Sequence, residues 1–165
     1  MHIKSTLSLC ITGLMLLGMN QTVSAHTYSG ILGSAISATD YFEVNCTTPA
    51  NTPQNQKTTQ YSLNVQDRGA DSNLVGITAF SANAAGNTKA YTAIDPFGGA
   101  TGTPAQTAPS PTIKVPGGEG IYRFAVFKTG PTAQQYFITV HCENANGTET
   151  QAPGLVIPAS LLNNQ

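Results

Sequence analysis

Gln135-Tyr-Phe-Ile-Thr-Val-His-Cys142 decides the fold. Tyr136, Ile138, Val140 and Cys142 recur at every second position, the period of a β-strand, and Phe137, Thr139 and His141 fall on the opposite face. Asp40-Tyr-Phe-Glu-Val-Asn-Cys46 repeats the pattern, with Phe42, Val44 and Cys46 on one side. Both segments therefore end with a cysteine on the apolar face. A slip of one residue in either strand would turn its sulfur outward, so the alternation and a Cys46–Cys142 disulfide support each other.

Working outward, Gln60–Asp67 buries Tyr61, Leu63 and Val65, and Ile121–Lys128 aligns Tyr122, Phe124 and Val126. Leu74–Phe80 and Lys89–Ile94 read as strands with noisier alternation, and Thr112–Val115 as a short strand that Pro116 ends. Turn-forming joints separate them at 67–71, 83–87, 116–120, 128–131 and 144–147. Helical periodicity is absent, because Gly, Pro, Thr and Asn interrupt almost every window of helix length. The pattern predicts an all-β, single-domain antiparallel β-sandwich, Ig-like or jelly-roll-like, with about seven to nine strands and one disulfide. Asp95–Pro111 is the one long irregular loop, and Leu155-Val-Ile157 supplies a late apolar run suited to an edge strand or an ordered extension.

The disulfide reading depends on compartment. Residues 1–25 have the layout of a cleaved signal peptide: His2 and Lys4, an uncharged stretch from Leu7 to Met19 that includes Cys10, then Val23-Ser24-Ala25. Leu9 stands where a lipoprotein signal would want a small residue before Cys10. Cleavage after Ala25 leaves a product starting at His26, with residues 26–150 as the sandwich and 151–165 as a C-terminal extension. Its expected location is periplasmic or extracellular, where Cys46 and Cys142 form an even pair. No later run approaches the ~20 apolar residues of a membrane-spanning helix.

Charge removes whole classes of partner. The chain of 165 residues carries 7 Lys+Arg against 8 Asp+Glu, 9% charged where soluble domains average about 25%. Such a chain cannot hold polyanions by counterion release, which excludes nucleic acid. Beyond residue 25 there are 39 Thr, Asn and Gln against 14 charged residues, a surface chemistry suited to hydrogen-bonded contact with polysaccharide or with copies of itself.

Asp40-Tyr41-Phe42-Glu43-Val44, Gly118-Glu-Gly-Ile-Tyr122-Arg-Phe-Ala-Val126 and Tyr136-Phe-Ile-Thr-Val140 together resemble the strands of the bacterial pre-peptidase C-terminal domain, a small exported β-sandwich appended to secreted proteases and other extracellular proteins. The resemblance spans roughly Thr39 to Cys142. It implies a β-sandwich with roles in secretion, in binding substrate or matrix, and in some members in calcium binding. The cysteine pair and the long 95–111 loop lie outside that family's pattern.

Four constellations could carry chemistry. A histidine made N-terminal by cleavage offers its amine and imidazole to one copper ion, so His26 with His141, the only other imidazole past the leader, forms a candidate copper site. Asp67, Asp71 and Asn73 place three oxygen-bearing side chains in one turn-like segment, as a calcium site would, with Asp40 as the one further acid; Asp and Asn are equally ordinary turn formers. Tyr28, Tyr41, Tyr91, Phe97 and Phe127 are candidates for a sugar-stacking platform, although Trp, the usual residue of such faces, is absent and strand aromatics are core by default. For catalysis, neither G-x-S-x-G nor H-E-x-x-H occurs, and Asp95 and Glu119 lie in glycine-rich loops without a partner in sequence. The sequence thus predicts an exported, non-catalytic β-sandwich that binds or assembles with extracellular material such as polysaccharide, matrix or itself. Copper handling through His26 is the alternative, and an adhesin or pilus-like subunit donating its Leu155–Leu162 tail is a third reading.

Overall fold

A computed structural model of the chain describes residues 26–69, 71–82, 88–96, 108–151 and 154–156. The expected leader lies outside the described residues, as do the turn at 83–87, positions 97–107 of the long loop and residues 157–165 of the tail. Among the described residues ten strands follow in order: β1 (His26–Leu32), β2 (Thr39–Cys46), β3 (Gln60–Asp67), β4 (Val75–Ala82), β5 (Thr88–Ile94), β6 (Ile113–Pro116), β7 (Gly120–Lys128), β8 (Gln134–Glu143), β9 (Glu149–Gln151) and β10 (Gly154–Val156). One antiparallel sheet has the order β1-β8-β3-β6, with β9 also beside β8, and the other has the order β10-β2-β7-β4-β5. The predicted all-β sandwich is the fold adopted. The strand number exceeds nine because two three-residue strands, β9 and β10, extend the sheets; the apolar run after Thr150 pairs with β2 as an edge.

Every inward position read from the alternation of the four clearest strands is buried, from Phe42, Val44 and Cys46 to Tyr136, Ile138, Val140 and Cys142. Phe42 and Phe124 stack at 4.9 Å between ring centres within one sheet, and Tyr61 of the other sheet meets Tyr122 at 4.3 Å. The Tyr61 hydroxyl donates to the carbonyl of Arg123 at 3.2 Å, so this large side chain closes the interior without stranding its polar end.

β1 escaped the sequence reading because its inward series is Tyr28, Gly30, Leu32, and a glycine breaks the apolar count. The glycine has a reason. A Cβ on Gly30 would stand 2.2 Å from the Tyr136 hydroxyl, directly across the ladder. The room lets that hydroxyl reach inward and donate to Asp40 Oδ2 at 2.5 Å. Burial raises the Asp40 pKa, and the bond from Tyr136 opposes the rise.

Cys46 on β2 and Cys142 on β8 are joined, with Cα atoms 5.5 Å apart, so the bridge ties one sheet to the other across the core. The described residues contain no helix long and apolar enough to cross a membrane. Closing a loop over 96 positions removes enough freedom from the unfolded chain to stabilise the fold by about 4–5 kcal/mol. The double variant Cys46→Ser/Cys142→Ser should keep a β-rich circular dichroism spectrum while losing about 3–5 kcal/mol in urea unfolding; an unchanged midpoint would remove the bridge from the stability account.

Candidate functional site

β1 runs along the edge of β8 with His26 opposite Val140, one step from His141. Paired residues of an antiparallel ladder share a face, so the His26 side chain lies on the inner side with Val140, whereas His141 lies on the outer side. The two backbones are neighbours and the two imidazoles diverge, so a shared ion would require one ring to leave its face. His141 Nδ1 instead lies 3.2 Å from Glu149 Oε2.

Asp67, Asp71 and Asn73 do gather at one end of the sandwich, although not around a common centre. Asp71 accepts from the Asn73 backbone N–H at 2.8 Å and from its side-chain amide at 3.1 Å, from the Thr132 hydroxyl, and from Gln134 Nε2 at 2.5 Å. These donors, led by Thr132, hold the Asp71 pKa below the ordinary carboxylate range. Asp67 sits deeper, 1% exposed, with Oδ1 accepting the Gly69 N–H at 2.7 Å. The Asp67 N–H donates to Asp95 Oδ2 at 2.8 Å, which draws a second buried acid to the same end. Asp67 Oδ2 and Gln134 Oε1 receive no hydrogen bond. Burial, reinforced by Asp95 and Asp71, pushes the Asp67 carboxyl up to about 6 against the pull of the Gly69 N–H. Asp40, the further acid considered for this segment, is held by Tyr136. No three His, Cys, Asp or Glu side chains among the described residues are grouped so as to hold a metal ion.

The outer face of the second sheet has a different character. From β2 it presents Thr39, Tyr41, Glu43 and Asn45, and from β7 Ile121, Arg123, Ala125 and Phe127. β4 and β5 continue it with Thr78, Phe80, Thr92 and Ile94. Tyr41 is 48% exposed, Ile121 61% and Ile94 39%. The Phe127 ring lies over Gly76, whose absent Cβ would stand 2.4 Å from its Cζ. Thr78 and Thr92 join hydroxyls at 3.0 Å across the ladder. Glu43 and Arg123 are the only charged residues among the described positions of this face, and they neutralise each other at 2.6 Å. Of the five aromatic candidates, exposed Tyr41 and half-buried Phe127 share the outer face, Tyr28 and Tyr91 pack against the core, and Phe97 lies outside the described residues.

A cleft of about 430 Å³ opens between the 49–56 segment and the 144–150 turn. Glu149 lines it, and its Oε1 is buried without a hydrogen-bond partner while Oε2 meets His141. Nothing in sequence pointed to Glu149; only the pairing of β9 with β8 brings its carboxylate to His141. Against known proteins, the chain matches no family model, no curated protein and no solved structure.

Asp67 also sets a pH dependence. Its folded pKa of about 6 stands above the ordinary 3.8, so the folded state binds the extra proton between those values. The group's contribution is most favourable below about pH 4, declines as pH rises through 4 to 6, and is lost above that window, a difference of roughly 3 kcal/mol at most. Asp67→Asn should therefore raise the melting temperature at pH 7.5, gain little at pH 4, and flatten the pH profile between them. A variant less stable than the parent at pH 7.5 would contradict this account.

Proposed function

We propose that this chain is an exported, non-catalytic binding module that adheres to polysaccharide through the outer face of its second sheet. The observation that carries the reading is the exposure of Tyr41, Ile94 and Ile121, beside the half-buried ring of Phe127, on one face where the sole charged pair is internally neutralised. A flat pleated surface of this kind meets the planar, C–H-rich side of a sugar ring by apolar burial and ring stacking, while the threonine hydroxyls and Asn45 offer neutral hydrogen bonds to ring hydroxyls. An anionic or cationic polymer would find no net charge there to bind. The disulfide agrees with an oxidising compartment, periplasmic or extracellular.

The experiment is adsorption of purified protein, processed to begin at His26, onto a panel of insoluble neutral polysaccharides. Wild type should deplete from solution on at least one, and Tyr41→Ala/Phe127→Ala, still folded by circular dichroism, should lose at least tenfold in partition. Adsorption should survive 0.5 M NaCl, since the contact is uncharged. A wild type that ignores every polymer, or adsorption unchanged in the double variant, defeats the proposal; elution as a dimer whose interface hides Tyr41 would assign the face to self-association.

A further inference from the structure

We infer that the cleft beside β9 is a second, separate binding site, one that takes a single saccharide unit of a soluble chain by its hydroxyls. The inference takes its ligand class from the polysaccharide reading above and its location from independent observations. Glu149 brings a carboxylate oxygen into the cleft wall, buried and without a donor, at a position where an unmet acceptor costs about 1–3 kcal/mol, more when charged. A ligand that supplies the donor removes that cost. The other polar walls are Thr52, Gln56, Asn144, Thr148 and Thr150, all hydroxyls and amides. Two of these are held rigidly. Asn144 Oδ1 accepts the backbone N–H groups of Asn146 and Thr148 at 3.0 Å each, and the Thr150 hydroxyl donates to the Cys142 carbonyl at 3.1 Å. Pro49 adds an apolar wall against which a sugar ring can rest.

The set is that of a polyol site: one carboxylate, the Gln56 amide able to bond in both directions, and no lysine or arginine among the lining residues to neutralise Glu149 beforehand. His141 holds the carboxylate through Oε2, which leaves Oε1 without a partner. At about 430 Å³ the cleft has room for one sugar ring of a soluble chain and excludes the broad surface of an insoluble polymer, whose natural seat is the sheet face.

The test is titration calorimetry with cellotriose, chitotriose and cadaverine on the protein processed to begin at His26, with chemical shifts followed at Thr148–Thr150. At least one trisaccharide should bind and move those resonances, and Glu149→Gln should weaken it at least tenfold. Gln56→Ala, an exposed position whose loss leaves the fold intact, should weaken it several-fold and decides the matter if Glu149→Gln fails to fold. Tyr41→Ala/Phe127→Ala should bind the trisaccharide as wild type does. Absence of any trisaccharide binding, binding of cadaverine alone, or full affinity in both cleft variants overturns the inference. Loss of polymer adsorption with trisaccharide binding retained would sink the sheet-face reading and leave the cleft standing; the reverse result would sink the cleft alone.

Discussion

Side-chain parity along β2 and β8 is the constraint on which the rest of the structure depends. Cys46 and Cys142 can meet only if both strands keep period two from end to end, because one inserted residue in either would send its sulfur to solvent. That same parity fixes what faces outward. It sends Tyr41 and Glu43 to one exterior and Phe137, Thr139 and His141 to the other, so the bridge in the interior and the chemistry of the two outer faces are set by one choice of register.

The strand alternation was legible because each of the clearest strands has one buried face, and burial leaves a period that composition alone cannot erase. β1 was not legible for a physical reason: the interior wanted space, and Gly30 supplies it by carrying no side chain against Tyr136. A hydrophobic pattern records what fills a core and is silent about what makes room in it. β9 was hard to see for another reason, since three residues give too short a run for any period to register, and β10, equally short, showed only through the apolar character of Leu155-Val-Ile157.

The candidate sites divide along the same line. Tyr41 and Phe127 could be named from sequence, although only the pairing of Thr39 with Phe127 and of Tyr41 with Ala125 shows that they share a face. Asp71 and Asn73 were found as neighbours because an Asx turn is local. Asp67 with Asp95, Gln134 with Asp71, and Glu149 with His141 are partners across strands, and no spacing rule anticipates them. His26 and His141 come near each other only through the pairing of β1 with β8, and parity along that ladder turns their rings to opposite sides.

The exterior is quiet for a stronger reason than low charge content. Each acid beyond residue 25 is engaged within the molecule: Asp40 by Tyr136, Asp67 by the Gly69 N–H, Asp95 by the Asp67 N–H, and Asp71 by Thr132, Gln134 and Asn73. Glu43 is paired with Arg123, Glu119 accepts from the Thr48 N–H, Glu143 accepts from Gln60 and faces Lys114, and Glu149 meets His141 through one oxygen. Charge therefore acts as internal mortar, holding turns and strand ends where apolar packing thins out. The outer face of the second sheet is left to threonine, asparagine and a few apolar side chains around one neutralised pair. The free oxygen of Glu149 departs from that rule, and this departure separates the cleft from the sheet face: one is a small pocket with an unmet acceptor, the other a broad neutral plane.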